Sequence, residues 1–569
     1  MKFLQLTAAA LLLAAQTATA QAPTYEWTNA WRSNTGGVPD VNNLTTDMDG
    51  NSYAVGTFTG VADFDDSADS AILDAANGRY FILKTSPTGA LLWAKQSALN
   101  YRLSYANGAI YAATEFVGTV DINPSTGTTS ITSAGQRDAL IIKFDTAMAT
   151  IAWHKVIGTA NQEAAYLLST TADGKIFVSG YFNSAVDMNP GTGTTTLTPT
   201  VANQYNGFYM MLDNNGDFLW AQKYESSRMD LADINTSTND IYVSFVQYAT
   251  DTINGTPFPL VGDYDAVLAK TNPTTGAFTW IKSFGEPSES AKLCVLPRVN
   301  GNISLGFTSF FTGTLDYDPS AAVANFTHSS SAGFVFVTFD GSGNFVSVAG
   351  VDASNSSYVE LKDAKSDYLG NLYVFGQFNG TIDFAPTTAI NNQTAPALTE
   401  QTFLMSLDNA LAVNFIEISD SGLFFLNGLH IDNRGNIFTY GSVTSGNNAT
   451  MDYDFSTGTD YEPFNSNGTY KGMITKMSQP TFVGVTANDA VAASKLFPNP
   501  AAHLINIENA VVGSQLRVTD ALGRVVLQAR INNENTQIAT DLLSNGLYFF
   551  QIQQAGKNSS EMHKVIIAK

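Results

Sequence analysis

The 569-residue chain holds one cysteine, five histidines and only 28 lysines and arginines, and each scarcity closes off a class of protein. Cys294 alone cannot form an intrachain disulfide, so this is no disulfide scaffold. Its neighbours Leu293, Val295 and Leu296 suggest a small buried hydrophobe, with a reactive thiol as the alternative. No HExxH, GxSxG, CxxC or phosphate-loop pattern occurs, which removes the common zinc-protease, serine-hydrolase and nucleotide-binding signatures. After the first residues no apolar window approaches the ~20 residues of a membrane-crossing helix. Basic residues are also outnumbered: 50 acidic residues give a net charge of −22, a sign that repels phosphate backbones and argues against nucleic acid as a partner.

The first residues, MKFLQLTAAALLLAAQTATA, carry one lysine, an apolar run and the small-x-small pattern Ala18-Thr19-Ala20. They read as a signal peptide over 1–20, cleaved between Ala20 and Gln21. No cysteine follows the cleavage site, which argues against a lipid-anchored start. About 549 residues then remain, too many for one hydrophobic core, so several domains or a repeat architecture are required.

A repeat is present. A turn of Asn-Gly, Asp-Gly, Gly-Asn or Asn-Asp type leading into a strand returns seven times, with Tyr53, Tyr111, Phe177, Tyr242, Ser304, Tyr373 and Phe438 as markers spaced by 58, 66, 65, 62, 69 and 65 residues. The turn pairs supply the positive φ of tight hairpins, and the apolar, β-branched and aromatic residues after them suit a pleated strand. Three further strands are expected in each unit. One carries an acidic turn, as at Asp63-Phe64-Asp65, Asp121-Ile122-Asn123 and Asp316-Tyr317-Asp318. The next reads like Phe81-Ile82-Leu83-Lys84, and the last carries Trp93, Trp153, Trp220 or Trp280, with Phe345 and Phe415 later.

Four strands per repeat is the count of a propeller blade. The two ends of the array complement each other, since the orphan strand at Trp27 lacks a preceding partner and Met473–Lys476 lacks a following tryptophan strand. The sequence therefore predicts an all-β protein: a seven-bladed β-propeller over 24–479, closed by pairing its first strand with its last, then a linker over 480–494 and a terminal domain over 495–569. These units resemble the bacterial β-propeller repeat family, with its Asp-Gly-Asn-x-Tyr, acidic-turn and Trp-x-Lys elements, over about 450 residues.

From Lys495 the pattern changes. Short alternating strands with turns at Asp520-Ala521-Leu522-Gly523 and Ser544-Asn545-Gly546 suggest a small Ig-like β-sandwich. Charge changes too: seven basic residues meet five acidic ones here, which leaves 20 basic against 45 acidic, a net −25, in residues 3 to 494. The segment resembles the type A C-terminal sorting domain of the type IX secretion system. Leu496, Pro498, Asn499 and Pro500 match its opening, Asp520, Gly523 and Arg524 its centre, Gly546 and Tyr548 its late turn, and Lys564 the basic residue before its apolar tail. The resemblance implies passage through the periplasm, transfer by the type IX machinery, and a product released or attached to the outer-membrane surface.

Chemistry is harder to place. No cofactor is identified. Asp63, Asp65, Asp121, Asp187, Asp316, Asp318, Asp452 and Asp454 are calcium candidates, because clustered carboxylates in loops suit that ion, although a repeated turn capped by Asp would look the same. His154 fills a slot held by Ala94, Ala221 and Ile281 in other units, which makes it a strand side chain before it is a base. Loop departures at Thr252–Pro257 and Asn391–Pro396 are where a binding role is expected. Two functions stay open: a noncatalytic adhesion or recognition module for glycan or protein, and a polysaccharide hydrolase or lyase with carboxylates in the propeller funnel.

Overall fold

In the computed structural model, described residues run from 22 to 569 apart from 34–38, 66, 68, 78, 172–173, 202, 225–230, 236–239, 248–250, 254–255, 259, 261–263, 287–292, 299–300, 321, 330–331, 354–356, 368–369, 388, 396–399, 420–422, 445–449, 453–460, 464–470, 480–493, 509, 511–513, 521–524, 532, 534, 542 and 554–559. Ala20 and Gln21, at the expected cleavage point, lie outside them. The chain divides into two compact units at 480/481. The described residues contain strands, one 3-10 turn at Ala75–Asn77 and no α-helix.

The larger unit is a β-propeller. Its described residues hold seven sheets with a four-stranded antiparallel meander. The first is Asp40–Thr46, Ser52–Thr57, Tyr80–Thr85 and Leu91–Ser97, and the third is Glu163–Thr170, Ile176–Phe182, Asn206–Leu212 and Phe218–Tyr224. The seventh takes Leu423–Ile431, Ile437–Thr444 and Lys471–Ser478 from one end of the array and Thr24–Ser33 from the other, with Trp27 opposite Lys476 and Ala30 opposite Met473. Thr24–Ser33 then continues onto the short strand Val61–Asp63, part of a hairpin inserted between the second and third strands of the first sheet, where Arg32 faces Asp63. The innermost strand of each sheet packs on that of the next, and Leu423–Ile431 packs on Asp40–Thr46, so the sheets form a closed ring. Closure packs each sheet between two neighbours, so that only the short outer edges of the sheets remain open.

Hydrophobic pattern follows position in the sheet. Middle strands are covered on both faces by neighbouring sheets, and Asn206–Leu212 and Gly333–Phe339 are buried throughout, which is why they read as apolar runs without alternation. Outer strands face solvent on one side, and Ile151–Ile157 alternates. The core lies between sheets: Tyr53, Val55 and Ile82 of the first pack with Leu103, Ile110 and Leu140 of the second. Each such side chain stabilises the ring by roughly 1.5–3 kcal/mol.

One expectation is corrected. The acidic turn does not belong to one of the four blade strands. It caps a separate two-stranded hairpin between the second and third strands, as in Val61–Asp63 with Ile72–Asp74. The fourth unit keeps this hairpin as Asp251–Ile253 with Thr256–Phe258 although it lacks the acidic motif. The true fourth strand is the innermost one, which precedes the Asn-Gly or Asp-Gly turn.

The C-terminal unit is a small β-sandwich. One sheet joins Lys495–Phe497, Leu504–Glu508 and Thr536–Ala539; the other joins Val525–Arg530, Gln515–Asp520, Gly546–Gln553 and Ser560–Ile567. Ile505, Ile507 and Ile538 of the first pack with Leu516, Val518, Phe550 and Val565 of the second.

Candidate functional site

An antiparallel meander gives the ring two unlike faces. One carries the tight turns between strands 1 and 2 and between strands 3 and 4; the other carries the longer connections. On the tight-turn face the repeated residues hold the fold. Asp47 Oδ1 accepts the amides of Asp49 and Asn51 at 3.0 and 2.9 Å, while its Oδ2 accepts the Asn51 side chain and the Tyr53 hydroxyl at 2.8 and 3.0 Å. Asp367 binds Asn371 and Tyr373 in the same way, and Asp432 binds Asn436. The Asp-Gly-Asn-x-Tyr signature is therefore a turn locked by a carboxylate two residues upstream of it, which sequence reading overlooked. Burial pushes the Asp47 carboxyl up, but these hydrogen bonds and Lys84 outweigh it and hold the group below its ordinary value.

The tryptophans bridge sheets. Trp27, Trp153, Trp220 and Trp280 donate their indole N–H to the carbonyls of Pro87, Asn214, Pro273 and Gly341, each in the 3–4 turn of the following sheet. The same turns present Gly89, Gly216, Gly276 and Gly343 at positive φ directly beneath the rings; a Cβ on Gly276 would lie 2.3 Å from Trp220. Gly is required there both for its backbone and for the close approach.

The calcium candidates have backbone partners. Asp63, Asp121, Asp187 and Asp316 each use Oδ1 to accept amides two and eight residues on, at 2.8–3.1 Å, and Asp383 does the same. Asp65 and Asp318 cap the amides of Ser67 and Ser320. Asp452 ends a hairpin strand, and Asp454 lies outside the described residues. No group of three or more metal-ligating side chains occurs among the described residues. The departures at Thr252–Pro257 and Asn391–Pro396 fall in the ordinary hairpins, as far as they are described.

Departures of another kind gather on the opposite face. In four sheets the innermost strand contains a β-bulge, and the extra residue is Asn42, Tyr166, Lys362 or Asn427. The bulge explains why these strands escape a search for period-two alternation: their apolar residues sit three apart, at Val41 and Leu44, Ala165 and Leu168, Leu361 and Ala364, and Leu426 and Leu429. It also turns the extra side chain away from the packed sheet. Tyr166 and Asn427 are exposed in strands that are otherwise largely covered, and Lys362 pairs with Glu360 at 2.7 Å. All four lie on innermost strands, the ones that pack on one another around the ring.

Beside Tyr166 stand Tyr181 and Tyr205. The Tyr166 and Tyr181 rings are 5.2 Å apart, and Tyr181 and Tyr205 meet edge to face at 4.9 Å and 82°. Tyr205 donates to Gln162 at 2.9 Å, Gln162 donates to Gln136 at 2.7 Å, and Arg137 is paired with Glu115. Between the innermost strands of the seventh and first sheets His430 shares a 2.9 Å hydrogen bond with Thr46, and burial drops its imidazole to about 4. His328 is buried against the Tyr317 hydroxyl, His154 is exposed on an outer strand, and Cys294 is fully buried.

In the C-terminal sandwich, residues of the sorting pattern that are far apart in sequence meet. Asn499 donates to the Lys564 carbonyl and accepts the Ile566 amide, both at 2.8 Å. Ala501, just after Pro500, exchanges backbone hydrogen bonds with Ile566 and Ala568. The Pro498-Asn499-Pro500 opening is thus stitched to the final strand. Leu496 packs on the core, Asp520 faces Tyr548 across two strands, the Tyr548 hydroxyl closes the Ser544-Asn545-Gly546 turn at 2.9 Å, and the Lys564 side chain is exposed. Gly523 and Arg524 lie outside the described residues.

Among curated proteins none matches the chain in sequence. The solved Dos1 propeller is 9% identical, with a TM-score of 0.35 over 80% of this chain and 94% of that one. A quinohemoprotein alcohol dehydrogenase from Comamonas testosteroni is 10% identical at 0.36 over 84% and 79%. PorZ from Porphyromonas gingivalis, described as an essential bacterial surface component of the type-IX secretion system, is 10% identical at 0.15 over 95% and 100%. No activity passes to this chain from such similarities, and its propeller fold rests on its own strand pairing. Residues 495–568 match the family model described as the Secretion system C-terminal sorting domain. The C-terminal unit is therefore a type IX secretion sorting domain, and the chain is a β-propeller protein exported to the cell surface or the extracellular space.

Proposed function

We propose that the propeller is a noncatalytic recognition module that holds an extracellular glycan or protein at the channel mouth on its long-connection face. The observation that carries this reading is the set of bulge residues Asn42, Tyr166, Lys362 and Asn427. Four of the seven innermost strands spend an added residue there, and the residue differs from sheet to sheet; Asn427 also reaches the first sheet, donating to Asp40 Oδ1 at 2.8 Å and to the Val41 carbonyl at 2.9 Å, whereas Tyr166 stays exposed.

The competing hydrolase or lyase needs an accessible pair of carboxylates. Burial raises Asp138 and Glu163 above their ordinary values, as a general acid would require, but they are 1% and 0% exposed and capped by the amides of Ala134 and Thr159. Glu115 and Glu360 are held by Arg137 and Lys362.

The test applies labelled mature protein to an array of glycans and bacterial surface proteins. Binding to a discrete set, weakened by Lys362→Ala, is expected; no binding at all, or release of reducing ends from polysaccharide, overturns the reading. Export is tested separately. Removing residues 495–569 should leave the propeller in the periplasm, and normal surface delivery of that truncation would contradict the role of the tail.

A further inference from the structure

We propose that Tyr166, Tyr181 and Tyr205 form a subsite for one neutral hexopyranose unit of a glycan. This deepens the recognition reading above and rests on it.

The three rings are not part of the repeat. Tyr181 occupies a position that the strand register gives to Thr57, Glu115 and Gln377 in other sheets, so the sheet does not demand an aromatic there. Tyr166 is the bulge residue of its strand, where the equivalent residues are Asn42, Lys362 and Asn427. Tyr205 comes just before the third strand. Tyr166 and Tyr205 are 48% and 40% exposed, although the recurring tyrosines at 53, 111 and 242 are buried. Clustered exposed aromatics cost solvation and add little to folding, and a patch of this kind marks a binding surface.

The geometry selects the ligand. Tyr181 and Tyr205 stand at 82° to each other, and Tyr181 and Tyr166 at 52°, so the rings make walls and not one flat plate. A pyranose presents an apolar C–H face and a rim of hydroxyls, and it can lay the face on one ring while its rim meets planar donors and acceptors. Those groups are in place: the relay from Tyr205 through Gln162 ends at the exposed Gln136 amide, and Arg137 stands alongside. The relay fixes these groups in advance, which lowers the ordering cost of binding. Charge excludes polyanions. Arg137 is already neutralised by Glu115, and residues 3 to 494 carry a net −25. A stable protein partner would need about 800 Å² from each side, far more than three side chains provide.

The test is calorimetric titration of the full mature protein with cellohexaose, laminarihexaose, mannohexaose and chitohexaose. At least one is expected to bind, with Tyr166→Ala and Tyr205→Ala each weakening it about tenfold or more, and Tyr205→Phe, which keeps the ring, less than about threefold. Unfolding midpoints of the variants report whether the ring is intact. If no hexaose binds, or the alanine variants bind as the parent does, the subsite is overturned. If array ligands are still captured by both alanine variants, recognition survives at another part of the mouth and only this subsite fails. Should the array ligands be proteins lost with these tyrosines, the glycan assignment fails while the surface stands.

Discussion

The two faces of the ring are built from the same seven units and follow opposite rules. On the tight-turn face, side chains recur because the backbone needs them: Asp47 and its counterparts lock turns, and tryptophans rest on glycines of the next sheet. On the long-connection face the acidic hairpins still recur, but the innermost strands diverge at their bulges, where Tyr166 and Asn427 are exposed and Asn42 and Lys362 partly so. Recurrence here marks stability, and the proposed recognition site is built from the departures. The abundant Asp-x-Asp turns show the danger of the opposite inference, since their number reflects five copies of one backbone-capping scheme.

This contrast can be broken by mutation. The largest effect is expected at the sheet junctions: Trp220→Ala, at a ring only 6% exposed, should cost about 3–5 kcal/mol in urea unfolding. Gly276→Ala adds a Cβ against the same ring in a left-handed backbone and should cost more than the roughly 1–2 kcal/mol of the conformation alone. Next comes Asp47→Ala, which removes an ionised acceptor of four hydrogen bonds and should cost about 2 kcal/mol. On the other face Tyr205→Ala should change stability by less than about 1 kcal/mol. A loss equal to that of Trp220→Ala would dissolve the distinction between the faces.

Acid sharpens it further. His430 is lowered in the folded state, so the native protein binds fewer protons than the unfolded chain, and stability should fall as pH drops from 6.5 toward about 4. His430→Gln should flatten that slope in unfolding midpoints measured across the interval. Asp47 is also lowered, so its contribution is complete above the ordinary carboxylate range and is lost as pH falls through its folded value; the gap between the parent and Asp47→Asn should close there. The smallest effect concerns calcium. Chelation should leave the unfolding midpoint unchanged, because Oδ1 of Asp63, Asp65, Asp121, Asp187, Asp316 and Asp318 already accepts backbone amides, and a clear drop would return the acidic turns to the metal reading.

Much of the fold could be read from local residue patterns. Buried middle strands are apolar throughout, turn glycines sit beside Asn or Asp, and the strands missing at the two ends of the array complement each other. Four of the seven innermost strands escaped for a physical reason: a bulge shifts their apolar residues to a spacing of three, as at Leu361 and Ala364, and destroys the period that identifies a strand. The same bulges supply the candidate site, so the strand overlooked and the site overlooked are one omission. The tyrosines were equally hidden. Tyr166, Tyr181 and Tyr205 look like strand aromatics in sequence, and only exposure separates them from Tyr53 and Tyr111.

Address and architecture were legible in residue order alone. Asn499 and the Lys564 tail are fixed-order signals, and a turn-strand pattern returning seven times requires a ring because no unit can bury its two faces alone. Tertiary structure decided which polar residues are spent and which remain available. Asp63 and Asp121 are committed to amides two and eight residues away, a local fact invisible without coordinates. Tyr181 and Gln136 gain meaning only because two adjacent sheets bring them to one rim. Local pattern specifies backbone pairing, since hydrogen bonds and burial act on neighbours in a strand. A binding surface joins side chains from separate strands, and their proximity exists only once the ring has closed.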